Sequence, residues 1–479
     1  MKTIYINDAI HKSVALSPHE VEVIDHPFVQ RLRFIRQLGF VSSVYPSATH
    51  DRFSHSLGTL HIASLFAEQL LLNEEYSVLA RILNSQEKEF LMHIIRLSAL
   101  LHDVGHAPFS HTAESVMPQV SDLAIPQEWM RHPVSARLAR HEDYSVLLLA
   151  GMSEGPHAVI SREEAEIISS LVHHKFIRLP DSWRGHFSSS VNAQSLHGLV
   201  KAIVSSDIDA DRMDYLLRDA HFAGVSYGHF DLPWLLSNLG SVASDGGYTM
   251  SISESGIHAL EHYLLARYNM YAQVYMHKTV KCFDYYFHKA IDEKEIDYTI
   301  PADLDSYVAM RDSTLIELLF SAARGNPSSW SGRLMNREPA HRLARIWRDQ
   351  GQVEQIFKDL HKELDAYGVR PFLHFTKRKF LDLPAIASDD KSSEEDGSLF
   401  SGLATMPIVV VRKQFGIISS APLSDYSFIL KKYHHDMSVG DIYVLKNEYE
   451  ARKKTIHTVI KKFHTHSPSE TLLYEEELT

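Results

Sequence analysis

Cysteine is almost missing from this chain: one residue, Cys282, in 479. That excludes an internal disulfide and any zinc site built from thiolates. Long apolar runs are missing too. No stretch of about 18 uncharged apolar residues and no signal-peptide pattern occurs, so the cytoplasm is the expected location, with no membrane partner. Lys and Arg number 48 against 60 Asp and Glu, a formal charge of −12. This argues against nucleic acid as the main partner, although local basic patches can still hold phosphates. Walker A, HExxH, GxSxG and GxGxxG patterns are absent, which removes several common nucleotide-loop and hydrolase readings. No internal repeat is found.

The rest is the composition of a soluble globular protein: 44% hydrophobic, 23% charged and 10% aromatic. The length exceeds one ordinary core, so two or three domains are expected. KTIYI reads as a short strand. SPHEVEVI opens a helix with a Ser cap and a Pro at its first position. PFVQRLRFIRQLG places Phe28, Leu32, Ile35 and Leu38 on one helical face and ends at Gly39. Helical pattern follows at roughly 56–72, 85–106, 110–118, 142–150, 161–173, 194–218 and 254–294. Few alternating strands occur before residue 330, so a helical body over 1–330 is expected. The remainder, 331–479, reads as a small α+β lobe. In it, EPAHRLARIWRDQ and VEQIFKDLHKELDAYG carry helical pattern, PIVVVRKQ and DIYVLKN look like strands, and EYEARKKTIHTVIKKFH is a last helix. Residues 388–398, SDDKSSEEDGS, have the composition of a flexible acidic segment.

The most informative residues are His102 and Asp103 in LSALLHDVGHAPFSH. They sit in an apolar run, and burying such a pair is costly without compensation. A metal ion would compensate, and His55 in HDRFSHSLG and Asp211 in SSDIDADRMDYLLRD offer further ligands. Two imidazoles and two carboxylates suit Mn, Fe, Co or Mg. With 31 histidines present, no single one counts by itself. His106 lies one helical turn beyond His102, and the Gly105 and Ala107-Pro108 steps would end the helix and turn His111 back. An EF-hand counted from Asp207 fails, because Arg212 stands where Gly is needed and Arg218 where the bidentate Glu belongs. On a helix, Asp211, Tyr215 and Asp219 form one stripe suited to a metal ligand followed by sugar-hydroxyl contacts, against the plainer reading of a solvated acidic face. Arg267, Tyr271, Tyr275 and Lys278 repeat the pattern with cations and phenols, which can grip phosphate or snorkel over a tyrosine core. His173-His174, Lys377-Arg378-Lys379 and the basic run Arg452, Lys453, Lys454, Lys461 and Lys462 read as packing or solvated faces.

Taken in order, HDRFSHSLG, LLHDVGHAPFSH and DIDADRMDYLLRD resemble the H…HD…D signature of the HD-domain phosphohydrolases. The branch most similar is that of the deoxynucleoside triphosphate triphosphohydrolases, which includes the animal sterile-alpha-motif/HD-domain enzyme and its bacterial relatives. The likeness runs from INDAIHKSVALSPHEVEVIDHPFVQRLRFIRQLG to YMHK. The resemblance implies metal ligation by His55, His102, Asp103 and Asp211, and phosphate contacts from Arg52, Arg212 and His106. His106, His111, Glu114 and His141 would form the catalytic group, with Glu114 where the family enzyme has Asp. Tyr215 and Asp219 would contact the sugar 3′-hydroxyl, and Gln37 and Leu38 would exclude a 2′-hydroxyl. Arg267, Tyr275 and Lys278 would complete substrate binding, while Met276 replaces an expected Gln. Asp25, Gln30 and Arg33 match a nucleotide activator site, in which Ile4 replaces a phosphate-binding Lys. The family also implies a homo-oligomer, dimer or tetramer.

The implied reaction is metal-dependent hydrolysis of a deoxynucleoside triphosphate to deoxynucleoside and inorganic triphosphate, with a second Mg travelling with the substrate phosphates. Two alternatives stand beside it: an HD phosphohydrolase acting on a monophosphate or cyclic dinucleotide, and a non-catalytic nucleotide-sensing or nucleic-acid-binding regulator.

Overall fold

A computed structural model describes residues 3–132, 136–173, 175–244, 246–348, 352–378, 408–414, 417–427 and 437–466. The acidic segment 388–398, His174 and Lys379 lie outside the described residues. The chain is mainly α, with a small C-terminal α+β lobe. An antiparallel hairpin of β1 (Ile4–Asp8) and β2 (Lys12–Leu16) leads into α1 (Pro18–Asp25), capped by Ser17 and Glu20 in a reciprocal box. The body is then built from α2 (Arg52–Leu72), α3 (Ser85–Leu101), α4 (His141–Met152), α5 (Arg162–Val172), α6 (Ala193–Val204) and α7 (Ala210–Ala223). A hairpin of β3 (Leu239–Ser244) and β4 (Gly247–Ser253) follows, then α8 (Ile257–Met270) and α9 (Lys278–Asp292). Helix α2 is buried along most of its length, its polar Arg52, His55, Ser56, Thr59 and Ser64 included. One large apolar cluster takes its Phe53, Leu57 and Leu60, and a second takes Ile62, Phe66, Leu70 and Leu71 further along.

Beyond the body come β5 (His341–Arg348), α10 (Gln352–Ala366), β6 (Phe372–Arg378), β7 (Val409–Gln414), β8 (Ile417–Pro422), β9 (Met437–Val444) and α11 (Lys446–His466). Strands β5, β9 and β6 form an antiparallel sheet with β9 in the middle. Its own core includes Leu343, Phe357, Leu360, Ile442, Ile456 and Val459. Strand β7 instead pairs in parallel with β4 of the body, and β8 pairs with β7. Among the described residues no helix is long and apolar enough to cross a membrane.

Several sequence expectations fail for identifiable reasons. Within EPAHRLARIWRDQ, His341–Arg348 is strand, not helix. Arg345 makes a two-pronged ion pair with Asp441 on β9, at 2.7 and 2.6 Å, and donates to the Met276 carbonyl. The segment PFVQRLRFIRQLG is α-helical only over Pro27–Gln30 and tightens to a 3₁₀ turn over Arg31–Phe34. Leu32 and Ile35 are buried as the period requires, yet the backbone leaves the helix because Arg36 N–H donates to Asp312 and Arg36 bridges to Asp51. The run 194–218 breaks between α6 and α7, where Asp209 caps the second helix by accepting from Arg212 N–H at 2.7 Å. The run 254–294 breaks after a π turn at Tyr271–Tyr275, and His277 caps α9. Residues Ser110–Val116 form a 3₁₀ turn.

Most consequential, α3 ends at Leu101, so His106 is not one turn along the same helix as His102. The chain leaves the helix in a turn whose carbonyls are claimed by distant donors, as a buried helix end requires. Arg31 donates to the carbonyls of Val104 and His106, Tyr307 to that of Gly105, and Ser145 to that of His102. Gly105 N–H donates back to Ser145 Oγ at 3.0 Å. A side chain at Gly105 would collide with α4, since its Cβ would lie 2.1 Å from Ser145 N and 2.2 Å from the His141 carbonyl. Gly105→Ala is therefore expected to lower stability by about 1–3 kcal/mol, read from urea unfolding.

Candidate functional site

The elements just described converge on one end of a cavity of about 480 Å³. His55 lies on α2, His102 caps α3, Asp103 follows it, and Asp211 lies in the first turn of α7. His55 Nε2 is 3.0 Å from Asp211 Oδ1 and 3.6 Å from Asp103 Oδ2. His102 Nε2 is 3.4 Å from Asp103 Oδ1 and 3.5 Å from Asp211 Oδ1. An ion bonded at roughly 2.0–2.2 Å holds neighbouring donors about 3.0–3.6 Å apart, so this cluster could hold a divalent metal. Both Nε2 atoms are buried without a hydrogen-bond partner, an arrangement a shared cation would satisfy.

The opposite ring nitrogens are pinned. His102 Nδ1 meets the Ala99 carbonyl at 2.8 Å, and His55 Nδ1 meets Asp214 Oδ2 at 2.7 Å. Each arrangement puts the proton on Nδ1 and leaves Nε2 as a donor to the ion. Asp214 is itself fully engaged, by His11 Nε2 at 2.6 Å and by Arg218 at 2.8 and 3.0 Å. Its approach depends on Gly58: a Cβ there would stand 1.9 Å from Asp214 Oδ1. Burial opposes charge on His55, but Asp211 and Asp214 outweigh it and raise the imidazole to about 10. Burial likewise disfavours charge on Asp103 and Asp211, yet the neighbouring imidazoles hold both carboxyls well below the usual range. Without an ion the two carboxylates favour protonated imidazoles; a bound cation would take the place of those protons.

Beside this cluster stands a second group. Glu114 Oε1 faces His141 Nδ1 at 2.6 Å and His111 Nδ1 at 3.1 Å. One carboxylate oxygen is thus shared between two histidines 30 residues apart in the chain. The His106 ring stacks on His141 at 3.8 Å, and its Nε2 is 3.3 Å from Asp103 Oδ1. Burial, Arg52 and His141 push His106 well below its ordinary value, so it is neutral. Burial also opposes charge on His141, but Glu142 and Glu114 raise it to about 9. Two stacked imidazoles thus hold opposite protonation states near neutral pH. The turn that presents His111 is strained, with Phe109 and Ser110 at φ of 58° and 53°. Phe109 N–H donates to Asp312, and Ser110 Oγ donates to the Arg36 carbonyl while accepting from Arg52 Nε, which holds it there.

Arg52 also pairs with Asp103, and Arg212 with Asp209 at 2.6 Å. Both line the cavity with His106, His111, His141, Gln37 and Leu38. Tyr215, Asp219 and Tyr275 line it too. Asp219 accepts from Tyr275 at 2.6 Å and faces His50 at 2.7 Å, so its carboxylate is fixed in place. Arg267 and Lys278 do not line the cavity; Arg267 pairs with Asp207 at 2.9 Å, and Lys278 contributes its carbonyl to Tyr443. Asp25 and Arg33 are exposed elsewhere on the surface, with Arg33 bonded to Gln30 at 2.8 Å and lying over the Phe53 ring. The sequence reading missed Asp214, His50 and His11. The signal for Asp214 was present, three residues after Asp211 on the same helix, but its partners lie far away in the chain.

Asp214→Asn is expected to weaken Mn(II) binding by about 10–100-fold in calorimetric titration, while helical circular dichroism is retained.

Residues 52–219 match the HD domain family and residues 236–367 the HD associated region. The first match spans all four donors. An uncharacterized protein of Methanocaldococcus jannaschii is 35% identical over 321 residues, 65% of this chain and 56% of its own length. The deoxynucleoside triphosphate triphosphohydrolase SAMHD1 of Homo sapiens is 28% identical over 331 residues, 66% of this chain and 50% of its own length. The chain spans about half the length of the curated relatives it matches. A crystal structure of a hypothetical protein from Aquifex aeolicus shares the fold, with a TM-score of 0.67 at 22% identity over 96% of this chain and 100% of that one. The motif order, the convergence of the donors and these likenesses place the chain in the HD-domain superfamily, where it resembles the deoxynucleoside triphosphate triphosphohydrolases.

Proposed function

We propose that this cavity hydrolyses deoxynucleoside triphosphates to deoxynucleoside and inorganic triphosphate. The observation that carries the reading is the convergence of His55, His102, Asp103 and Asp211 at a cavity that Arg52, Arg212, His106, His111 and His141 line together with Tyr215, Asp219 and Tyr275. The volume lies within the range of roughly 300–1,000 Å³ usual for small-molecule sites. Bound by the four donors, an Mn, Fe, Co or Mg ion would supply a Lewis acid at the α-phosphate and acidify a coordinated water.

The protein's own groups do the rest. Arg52 and Arg212 bind phosphate oxygens, and the neutral His106 is available as a hydrogen-bond donor rather than as a competing charge. Glu114 accepts from Nδ1–H of both His111 and His141 and so orients the two rings. His111, 43% exposed at the cavity, hands a proton to the departing 5′-oxygen as the bond from α-phosphorus to that oxygen breaks. The oxygen added to phosphorus comes from water, so the products are a 5′-hydroxyl and free triphosphate. Asp219, held by His50 and Tyr275, accepts from the sugar 3′-hydroxyl beside Tyr215. Gln37 and Leu38 crowd the neighbouring 2′ position. A second Mg travelling with the phosphates, activation by a nucleotide near Asp25, Gln30 and Arg33, and assembly as a homo-oligomer belong to the same proposal. So do substrate contacts from Arg267 and Lys278 after rearrangement of their present partners.

The test is product analysis after incubation with each dNTP and Mn or Mg, with and without GTP. Triphosphate and deoxynucleoside are expected. Release of monophosphate, or no turnover under any condition, would contradict the reading. His111→Ala is expected to lower kcat by about 10²–10⁴-fold with little change in metal content.

A further inference from the structure

Away from the cavity, three helices bring another donor set together near the surface. His19 lies at the start of α1, His93 on α3 and Glu164 in the first turn of α5. His93 Nε2 is 2.6 Å from Glu164 Oε1, and His19 Nε2 is 3.8 Å from the same oxygen. One ligand atom from each residue lies within 4.8 Å of the others. The two imidazole rings are 5.5 Å apart and tilted by 31°.

Two features distinguish this from an ordinary surface pair. First, His19 Nε2 is buried and has no hydrogen-bond partner, although the rest of its side chain is 35% exposed. It points at a carboxylate oxygen too distant for a hydrogen bond and near enough for a shared ion. Second, Glu164 is not free to swing away. Its other oxygen accepts from Ser161 N–H at 2.7 Å in a capping box, which leaves Oε1 facing the two imidazoles. Burial would raise this carboxyl, but His93 and the cap bring it down to about 2, so it is ionised throughout the working range. The helices are also pre-positioned: Arg96, one turn along α3 from His93, grips both oxygens of Glu20 on α1 at 2.6 and 2.8 Å.

We propose that His19, His93 and Glu164 form a second divalent-cation site, of the class that takes zinc, stapling α1, α3 and α5 together. Two imidazoles and one carboxylate with an open side are a donor set that zinc accepts, a water completing the tetrahedron. The small closure this requires replaces the His93–Glu164 proton with the ion and gives His19 the partner it lacks. His93 lies nine residues before His102 on the same helix, about 14 Å along its axis, so the staple is separate from the central cluster. It would steady the helix whose far end carries the HD doublet. This inference does not depend on the reaction proposed above.

The experiment uses the tag-free full chain carrying Asp211→Asn, which weakens the central cluster. The protein is stripped with chelator and titrated with Co(II), following the visible ligand-field band. One retained equivalent is expected, displaced by Zn(II). It should disappear when His93→Ala is added, and also with Glu164→Gln, a gentler change that keeps an acceptor for the Ser161 cap. Zn(II) should raise the melting temperature of the Asp211→Asn protein and leave that of the Glu164→Gln double variant unmoved. No retained equivalent, or uptake and melting shifts identical with and without His93 and Glu164, would overturn the proposal.

Discussion

Bringing two carboxylates within 3.0–3.6 Å of two imidazoles inside an apolar body is the constraint to which the surrounding structure answers. Left unpaired, such groups would cost more than the fold could spare. Three of the four are held by a partner that fixes direction: Asp214 behind His55, a helix carbonyl behind His102, and Arg52 beside Asp103. Asp214 is the pivotal residue. It ties α2, α7 and the N-terminal hairpin to one carboxylate, and Gly58 opens the space it occupies. The helical body is in this sense a frame for one cluster of charges.

A second consequence concerns protons. His106 and His141 stack face to face, yet their surroundings push them in opposite directions. Arg52 and burial keep one neutral. The two glutamates, Glu142 and Glu114, keep the other charged. Glu114 is shared between His141 and His111, so the group that orients the proposed acid also reports on the charge of its neighbour. The strained backbone at Phe109 and Ser110 delivers His111 to this arrangement. It is held by Asp312 and Arg36, which lie outside the motif itself.

Much of this was legible in the sequence, and the limits have physical causes. The doublet His102-Asp103, His55 and Asp211 could be singled out because a His-Asp pair in an apolar run demands compensation. Helix α7 could be placed because Asp211, Tyr215 and Asp219 keep a four-residue spacing. What the sequence hid was long-range. Asp214 meets His11 and His55 across 203 and 159 residues, and nothing local announces either contact. Strand β5 carries a helical-looking pattern because its pairing partner β9 and its ion-pair partner Asp441 come about a hundred residues later. The turn after α3 was read as helix because the donors that end it, Arg31, Ser145 and Tyr307, are scattered through the chain. Periodicity reports which residues are buried; it does not report which backbone groups distant side chains will claim.

The central claim is that one cation sits among four side chains drawn from three helical segments. Anomalous diffraction from a crystal soaked in Mn(II), recorded at the manganese edge, tests it directly. The account predicts a strong peak within about 2.0–2.3 Å of His55 Nε2, His102 Nε2 and carboxylate oxygens of Asp103 and Asp211. Manganese density only at other positions, or none at this one under saturating metal, would contradict it.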